Sequence, residues 1–260
     1  MFFLPVRDEN PTLDASVATL ALIGTNLLCW ALVQGFGTEP RLSMSVCSLG
    51  AIPGELLGTV APGTAVALGG GFACVTEADP DWATAITSMF MHGSWLHLLG
   101  NLWFLWLFGD NVEDALGHVR FAVFYLLCGL AAFAAQALSD STSAIPMVGA
   151  SGAIGGVLGA YARLYPHARV HVLGLFFIFL RRFVVPAVVV LGMWFLIQIL
   201  SGLPALGSPA AGGVAFWAHV GGFLAGLLLV GPFSDPRRLE LHRVHRLGRH
   251  MRSERDGLGD

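Results

Sequence analysis

Apolar residues gather in six blocks along the chain, each near the ~20 residues that an α-helix needs to cross a bilayer. The blocks predict helices at roughly Ser16–Gly35, Trp95–Phe108, Val119–Leu138, Val148–Leu164, Phe183–Ser201 and Val214–Pro232. The second is short and is expected to sit inside a bundle. From about Phe36 to Met91 the chain is rich in Gly, Pro and Ala without a clear period, so it reads as a long outer loop with no assigned structure. Val170–Leu180 is also apolar, but Arg181 and Arg182 follow it, and it reads as interfacial.

Composition makes the spans a membrane problem and not a core problem. Of 260 residues, 55% are hydrophobic and 12% charged, and the mean hydropathy is +0.70. A water-soluble domain carries about 25% charged residues; this chain lacks the polar groups to cover a surface in water. The reading is an all-α membrane protein, a six-transmembrane-helix bundle. It divides into an N-terminal segment (1–15), a membrane unit (16–232) and a basic tail (233–260).

Arginine placement sets the orientation. With both termini on the inner side, 13 of the 14 basic residues lie there, and Arg41 alone lies outside. The expectation is a multi-pass protein of the cell (inner or plasma) membrane with cytoplasmic termini. Asp8 and Glu9 follow Arg7 before any apolar run, which is unlike a cleavable signal. The tail reads as an orientation signal with some attraction to anionic lipid, not as a nucleic-acid site. The four cysteines show no CxxC spacing and suggest no metal site. Cys29 and Cys128 read as buried thiols. Cys47 and Cys74 share the outer loop, where two free thiols are favoured and a disulfide is the alternative.

Polar groups within apolar spans need a reason. The second, fourth and sixth helices all start on the outer side, and each carries such groups near its start. His97 and Asn101 lie on one face at i,i+4 spacing. Ser151 lies on the fourth helix and His219 on the sixth. At ~1.5 Å rise per residue they share a depth of roughly 5–8 Å below the outer surface. Gly152, Gly155, Gly156 and Gly159 on the fourth helix, and Gly221, Gly222 and Gly226 on the sixth, have the small-xxx-small spacing that lets backbones approach in lipid. That approach is what a Ser151–His219 hydrogen bond requires. Taken singly, a serine among glycines is ordinarily a packing residue, and a lone membrane histidine is as often structural as functional. The GxSxG elbow of soluble hydrolases is absent, because Ala153 stands where it needs glycine.

Four pieces in order resemble the rhomboid intramembrane serine proteases, of the bacterial six-helix type. "MHGSWLHLLGN" (Met91–Asn101) resembles the His-x-x-x-Asn motif of the second helix. "FGDNVEDALGHVRF" (Phe108–Phe121) resembles the loop after it, with Glu113, Gly117 and Arg120. "GASG" (Gly149–Gly152) resembles the nucleophile motif, and "AHVGGFLAG" (Ala218–Gly226) the final histidine motif. The resemblance covers about Asp81 to Pro232.

It implies Ser151 as nucleophile and His219 as general base, a dyad without an acidic third member. It implies an oxyanion hole at His97 and Asn101, to which helix-start N–H groups at Ser151 and Ala150 would add. Gly149, Gly152, Gly222 and Gly226 would serve packing. It implies transmembrane protein substrates cut near their outer ends, no metal or cofactor, and leaves the oligomeric state open. Two positions depart from the pattern. Gly155 stands where many members carry an aromatic ring against the catalytic histidine, and Trp82 is followed by Ala83 and not by arginine. His92 reads as a structural hydrogen-bonder. Two other readings are an inactive rhomboid-like protein that binds membrane clients, which would lose Ser or His, and a small transporter, which would carry acidic groups at mid-depth.

Overall fold

The computed structural model describes residues 2–176, 179–206, 214–242 and 244. Strand β1 (Phe2–Asp8) precedes α1 (Val17–Leu28), which continues into a π-helical stretch, Cys29–Val33. The outer segment holds α2 (Arg41–Leu49), α3 (Pro53–Leu56), a hairpin of β2 (Ala65–Gly69) and β3 (Phe72–Val75), and α4 (Thr84–Thr87). Then come α5 (Trp95–Leu116), α6 (His118–Ser139) and α7 (Ser151–Leu164). A second hairpin, β4 (Arg169–Phe176) and β5 (Phe179–Pro186), leads to α8 (Ala187–Gly202) and α9 (Phe216–Phe233). A short helical stretch, 236–242, follows; Arg243 and the basic tail from residue 245 onward lie outside the described residues.

The fold is mostly helical but not all-α. β1, β4 and β5 form an antiparallel sheet in the order β1-β4-β5. The segment 169–186 is rich in β-branched and aromatic side chains, which suit a pleated strand, and β4 pairs with β1 on one side and β5 on the other. Pro186 then has no N–H to continue the ladder, so α8 starts at Ala187 and not at Phe183. The apolar run expected at the interface is therefore half of a hairpin.

α6 and α9 are long and apolar enough to cross a membrane, with mean hydropathies of 2.0 and 1.6. Val17–Val33 and α8 are shorter apolar helices. Leu20, Leu28, Leu32, Leu96, Val119, Leu138, Leu196 and Leu228 point outward from the bundle. An exterior of that kind suits lipid and not water.

α5 runs eight residues past the expected end, so Asp110, Glu113 and Asp114 are helical and not in a loop. Gly117, at φ 84°, ends it. Its acidic end receives the start of α1. Glu113 accepts from the N–H groups of Ala18 (2.8 Å) and Thr19 (2.7 Å), and Asp114 accepts from Leu13 N–H (2.5 Å). The first N–H groups of a helix have no partners of their own, so Glu113 satisfies two of them and its charge suits the positive end of the helix dipole, while Asp114 holds the segment that leads into α1.

The outer segment is ordered where the sequence assigned no structure. Cys47 and Cys74 form a disulfide that staples α2 to β3. Ala51 pairs with Met147 in an isolated bridge, and Thr87 Oγ1 donates to Leu49 O (2.9 Å). These ties anchor the segment although Trp82 lacks an arginine after it and is exposed. Of the two free thiols, Cys128 is buried and Cys29 only partly so, because the outer side of α1 faces away from the bundle.

On the other side, Tyr161 Oη donates to Asp8 Oδ2 (2.5 Å), pinning the end of β1 to α7. Burial is the main cause that pushes the Asp8 carboxyl from 3.8 up to about 6. The folded protein thus holds this proton to higher pH than the unfolded chain. The associated stability is fully present below about pH 4 and is lost as pH rises through 6. We expect Asp8→Asn to be more stable than the parent by about 2 kcal/mol at pH 8 and to flatten the dependence between pH 4 and 8. Chemical unfolding in detergent across that range checks it; an unchanged slope would refute it.

Candidate active site

α7 is the centre of the bundle, with every residue from Gly152 to Tyr161 buried. Its start is set by Gly149, whose φ of +121° is a conformation that other residues rarely adopt. A Cβ there would also press on His97 Nε2 at 2.6 Å. Gly149 N–H donates to Ser88 O (2.9 Å), which ties this turn to the outer segment. Ala150 is the N-cap and Ser151 the first helical residue. The helix therefore begins three residues later than the apolar pattern suggested, and the serine stands at its tip. The N–H groups there lack intrahelical acceptors and sit at the positive end of the dipole.

α9 approaches α7 backbone to backbone. A Cβ on Gly222 would overlap the carbonyl oxygen of Gly152, and one on Gly226 that of Gly156. The two small-residue pairs are in matching register, four residues apart on each helix. The approach brings His219 Nε2 to 2.8 Å from Ser151 Oγ.

The other ring nitrogen has a partner too. His219 Nδ1 lies 2.8 Å from Gln198 Oε1, on α8. The Gln198 amide nitrogen donates to Trp194 O (3.4 Å), which turns its oxygen toward the histidine. Nδ1 is then the protonated nitrogen, and Nε2 is left to accept the Ser151 hydroxyl proton. The Trp194 ring lies beside the imidazole, centroids 5.8 Å apart at 38°. It occupies the neighbourhood where an aromatic at position 155 would reach: a Cβ on Gly155 would meet Trp194 Cη2 at 3.7 Å.

α5 supplies the third side. Ser94 caps it, accepting from His97 N–H (3.1 Å). Asn101 Nδ2 lies 3.0 Å from the Nε2 of His92. Burial, and then the neighbouring His97, push the His92 imidazole down to about 3, so it is neutral and accepts from the amide. Gln34 holds His92 from behind, accepting from its N–H through Oε1 (2.8 Å) and donating to its carbonyl (2.8 Å). One Asn101 N–H is thus used in fixing the side chain, and the second remains for a ligand. Ser151, His219, His97, Asn101, Trp194 and Gln136 all line one cleft of about 620 Å³.

Of the residues that the sequence brought forward, Ser151, His219, His97 and Asn101 thus line one cleft; Ala150 is buried behind it, Gly149 and Gly152 flank Ser151, and Gly222 and Gly226 pack against α7. Two participants were not among them. Trp194 and Gln198 lie four residues apart on α8, and their signal was present: Gln198 is the sole amide in an otherwise apolar helix. Among the described residues no group of three or more His, Cys, Asp or Glu is arranged to hold a metal ion.

A family model described as "Rhomboid domain" matches residues 79–235. Rhomboid protein 1, mitochondrial, of Saccharomyces cerevisiae is 33% identical over 153 residues, covering 55% of this chain and 39% of that protein. Rhomboid-like protein 11, chloroplastic, of Arabidopsis thaliana is 38% identical over 78 residues, 30% of this chain and 28% of its own. RHOMBOID-like protein 5 of Arabidopsis thaliana is 37% identical over 75 residues, 29% of this chain and 24% of its own. The chain thus spans well under half the length of these relatives. They are plant and yeast proteins, and the two with a location in their names are organellar. That finding overturns the expected cell (plasma) membrane location and lends no support to the bacterial type; the relatives whose names give a compartment are mitochondrial and chloroplastic.

Proposed function

Because the chain belongs to the Rhomboid domain family, we propose that it is an intramembrane serine endopeptidase that cuts transmembrane segments of other proteins. The observation that carries this reading is the 2.8 Å bond from Ser151 Oγ to His219 Nε2, with the opposite ring nitrogen also engaged. A nucleophile, a base in the right tautomer and helix-start N–H groups lie on one cleft.

In this reading α1, α5, α6, α7, α8 and α9 are the six membrane helices of a unit near 16–232, and the arginine-rich ends lie on one side of the bilayer. A substrate helix enters laterally past α8 and unwinds locally, since a helix hides its own carbonyls. Ser151 Oγ attacks the exposed carbonyl carbon while His219 Nε2 takes the hydroxyl proton. The resulting oxyanion is held by His97, by the second Asn101 N–H and by backbone N–H at Ser151 and Ala150. His219 returns the proton to the leaving amine. Water from the cleft then attacks the acyl-enzyme, with His219 again as base, and frees Ser151.

The test uses purified protein in detergent, a model transmembrane substrate and a fluorophosphonate probe. We expect cleavage of the substrate and a covalent phosphonyl adduct that peptide mapping places on Ser151. The adduct should be lost in His219→Ala, because the hydroxyl is then no longer activated. Labelling elsewhere, or equal labelling without His219, sinks the proposal.

A further inference from the structure

We infer that Gln198 is a positioning residue for His219, which makes α8 the fourth element of the site beside α5, α7 and α9. This rests on the peptidase reading above and deepens it. The mechanism needs a particular tautomer, Nδ1 protonated and Nε2 bare, and needs the ring held as positive charge develops on it. Among the described residues no acidic side chain is hydrogen-bonded or ion-paired to His219. Gln198 meets both needs as a neutral acceptor.

Three observations bear on it. First, Gln198 is 8% exposed, while its helix neighbours Met193, Leu196, Ile197 and Leu200 point outward. An amide turned inward from an apolar helix is costly unless paired. Second, both ends of the amide are engaged. Oε1 faces His219 Nδ1 at 2.8 Å and Nε2 faces Trp194 O at 3.4 Å. The second contact fixes which end is the acceptor, so the amide cannot present its N–H₂ to the imidazole without losing that bond. Third, Trp194 lies one turn earlier and flanks the same ring. The aromatic and the acceptor thus come from α8 together, and Gly155 leaves room for the first. The neutral amide also avoids a buried carboxylate, which in a low-dielectric site carries a large desolvation cost.

The experiment compares wild type with Gln198→Leu and Gln198→Glu in the intact protein. The readouts are cleavage of a model transmembrane substrate and ¹⁵N spectra of histidine-labelled protein. Losing an acceptor to a charged transition-state donor predicts a fall in kcat of about 10- to 100-fold in Gln198→Leu, with KM within about twofold. The His219 ring signals, assigned with His219→Ala, should show one tautomer in wild type and a mixture in Gln198→Leu. Gln198→Glu keeps an acceptor and should restore most of kcat. It should also move the acid limb of the pH profile upward by about one unit, since a carboxylate beside the ring favours its charged form. His97 is the titratable neighbour across the cleft, and it is unchanged in all variants. Wild-type kcat in Gln198→Leu, or an unaltered tautomer, overturns the inference. If Gln198→Leu does not fold, failure of Gln198→Glu to shift the acid limb overturns it. A wild-type protein that cuts nothing sinks the peptidase reading alone, since the tautomer comparison still decides Gln198.

Discussion

Replacing Ser151 by alanine is expected to lower turnover by about 10⁶-fold and to leave the bundle folded. The two halves of that result have separate causes. Ser151 is the first residue of α7 and only partly buried, so losing one hydroxyl opens no core cavity. Its Oγ bond to His219 is a single contact, and the imidazole keeps its second partner on Gln198. Alanine is also an excellent helix former, so α7 should start where it does now. Chemistry is different. Without Oγ no acyl-enzyme can form, and what remains is the binding and oxyanion environment acting on water. Thermal unfolding in detergent should shift by a few degrees at most while cleavage disappears. A Ser151→Ala protein that still cut its substrate would falsify the nucleophile assignment.

The second large effect concerns residues with no chemistry. Gly222→Ala and Gly226→Ala each add one methyl group where a backbone carbonyl of α7 already sits. Backbone has nowhere to move except apart, so α9 must be displaced. Such overpacking costs about 1–3 kcal/mol. A displacement near 1 Å takes His219 out of reach of Ser151, and misplacement on that scale costs about 10²-fold in rate. Both substitutions should thus lower stability and kcat together, with slower fluorophosphonate labelling as the shared sign of a longer Ser–His distance. Gly192→Ala on α8 is the control, because no atom lies within 4 Å of a Cβ there. It should leave stability and rate near wild type. If Gly222→Ala behaves like Gly192→Ala, close backbone contact is not what holds the dyad together.

Much of this was legible along the chain. Apolar periodicity gave a helix for each of the six blocks, since burial and lipid contact are recorded residue by residue. The spacing of Gly152 and Gly156 against Gly222 and Gly226 is likewise a local record of close packing, and the helices that carry Ser151 and His219 do approach there. His97 and Asn101 carried their own i,i+4 signal. The boundaries were less legible. The end of α5 has work elsewhere in the chain, Glu113 capping α1 and Asp114 holding the segment before it, and no window around those carboxylates says so.

What the tertiary structure alone decided is the set of partners. β4 looks like a marginal apolar run until β1, far away in sequence, lies antiparallel beside it and completes its ladder. Cys47 and Cys74 are two thiols in a loop until the hairpin folds back on α2. Gly155 looks like a missing aromatic until Trp194 is seen beside His219. Gln198 reads as one polar residue in lipid until its oxygen is found on His219 Nδ1. The physical reason is common to all four. Hydropathy and helix periodicity are properties of neighbouring residues, so the sequence determines which elements form and which face is buried. A hydrogen bond or ring contact between helices depends on rotation and depth in three dimensions, and only the packed bundle sets those.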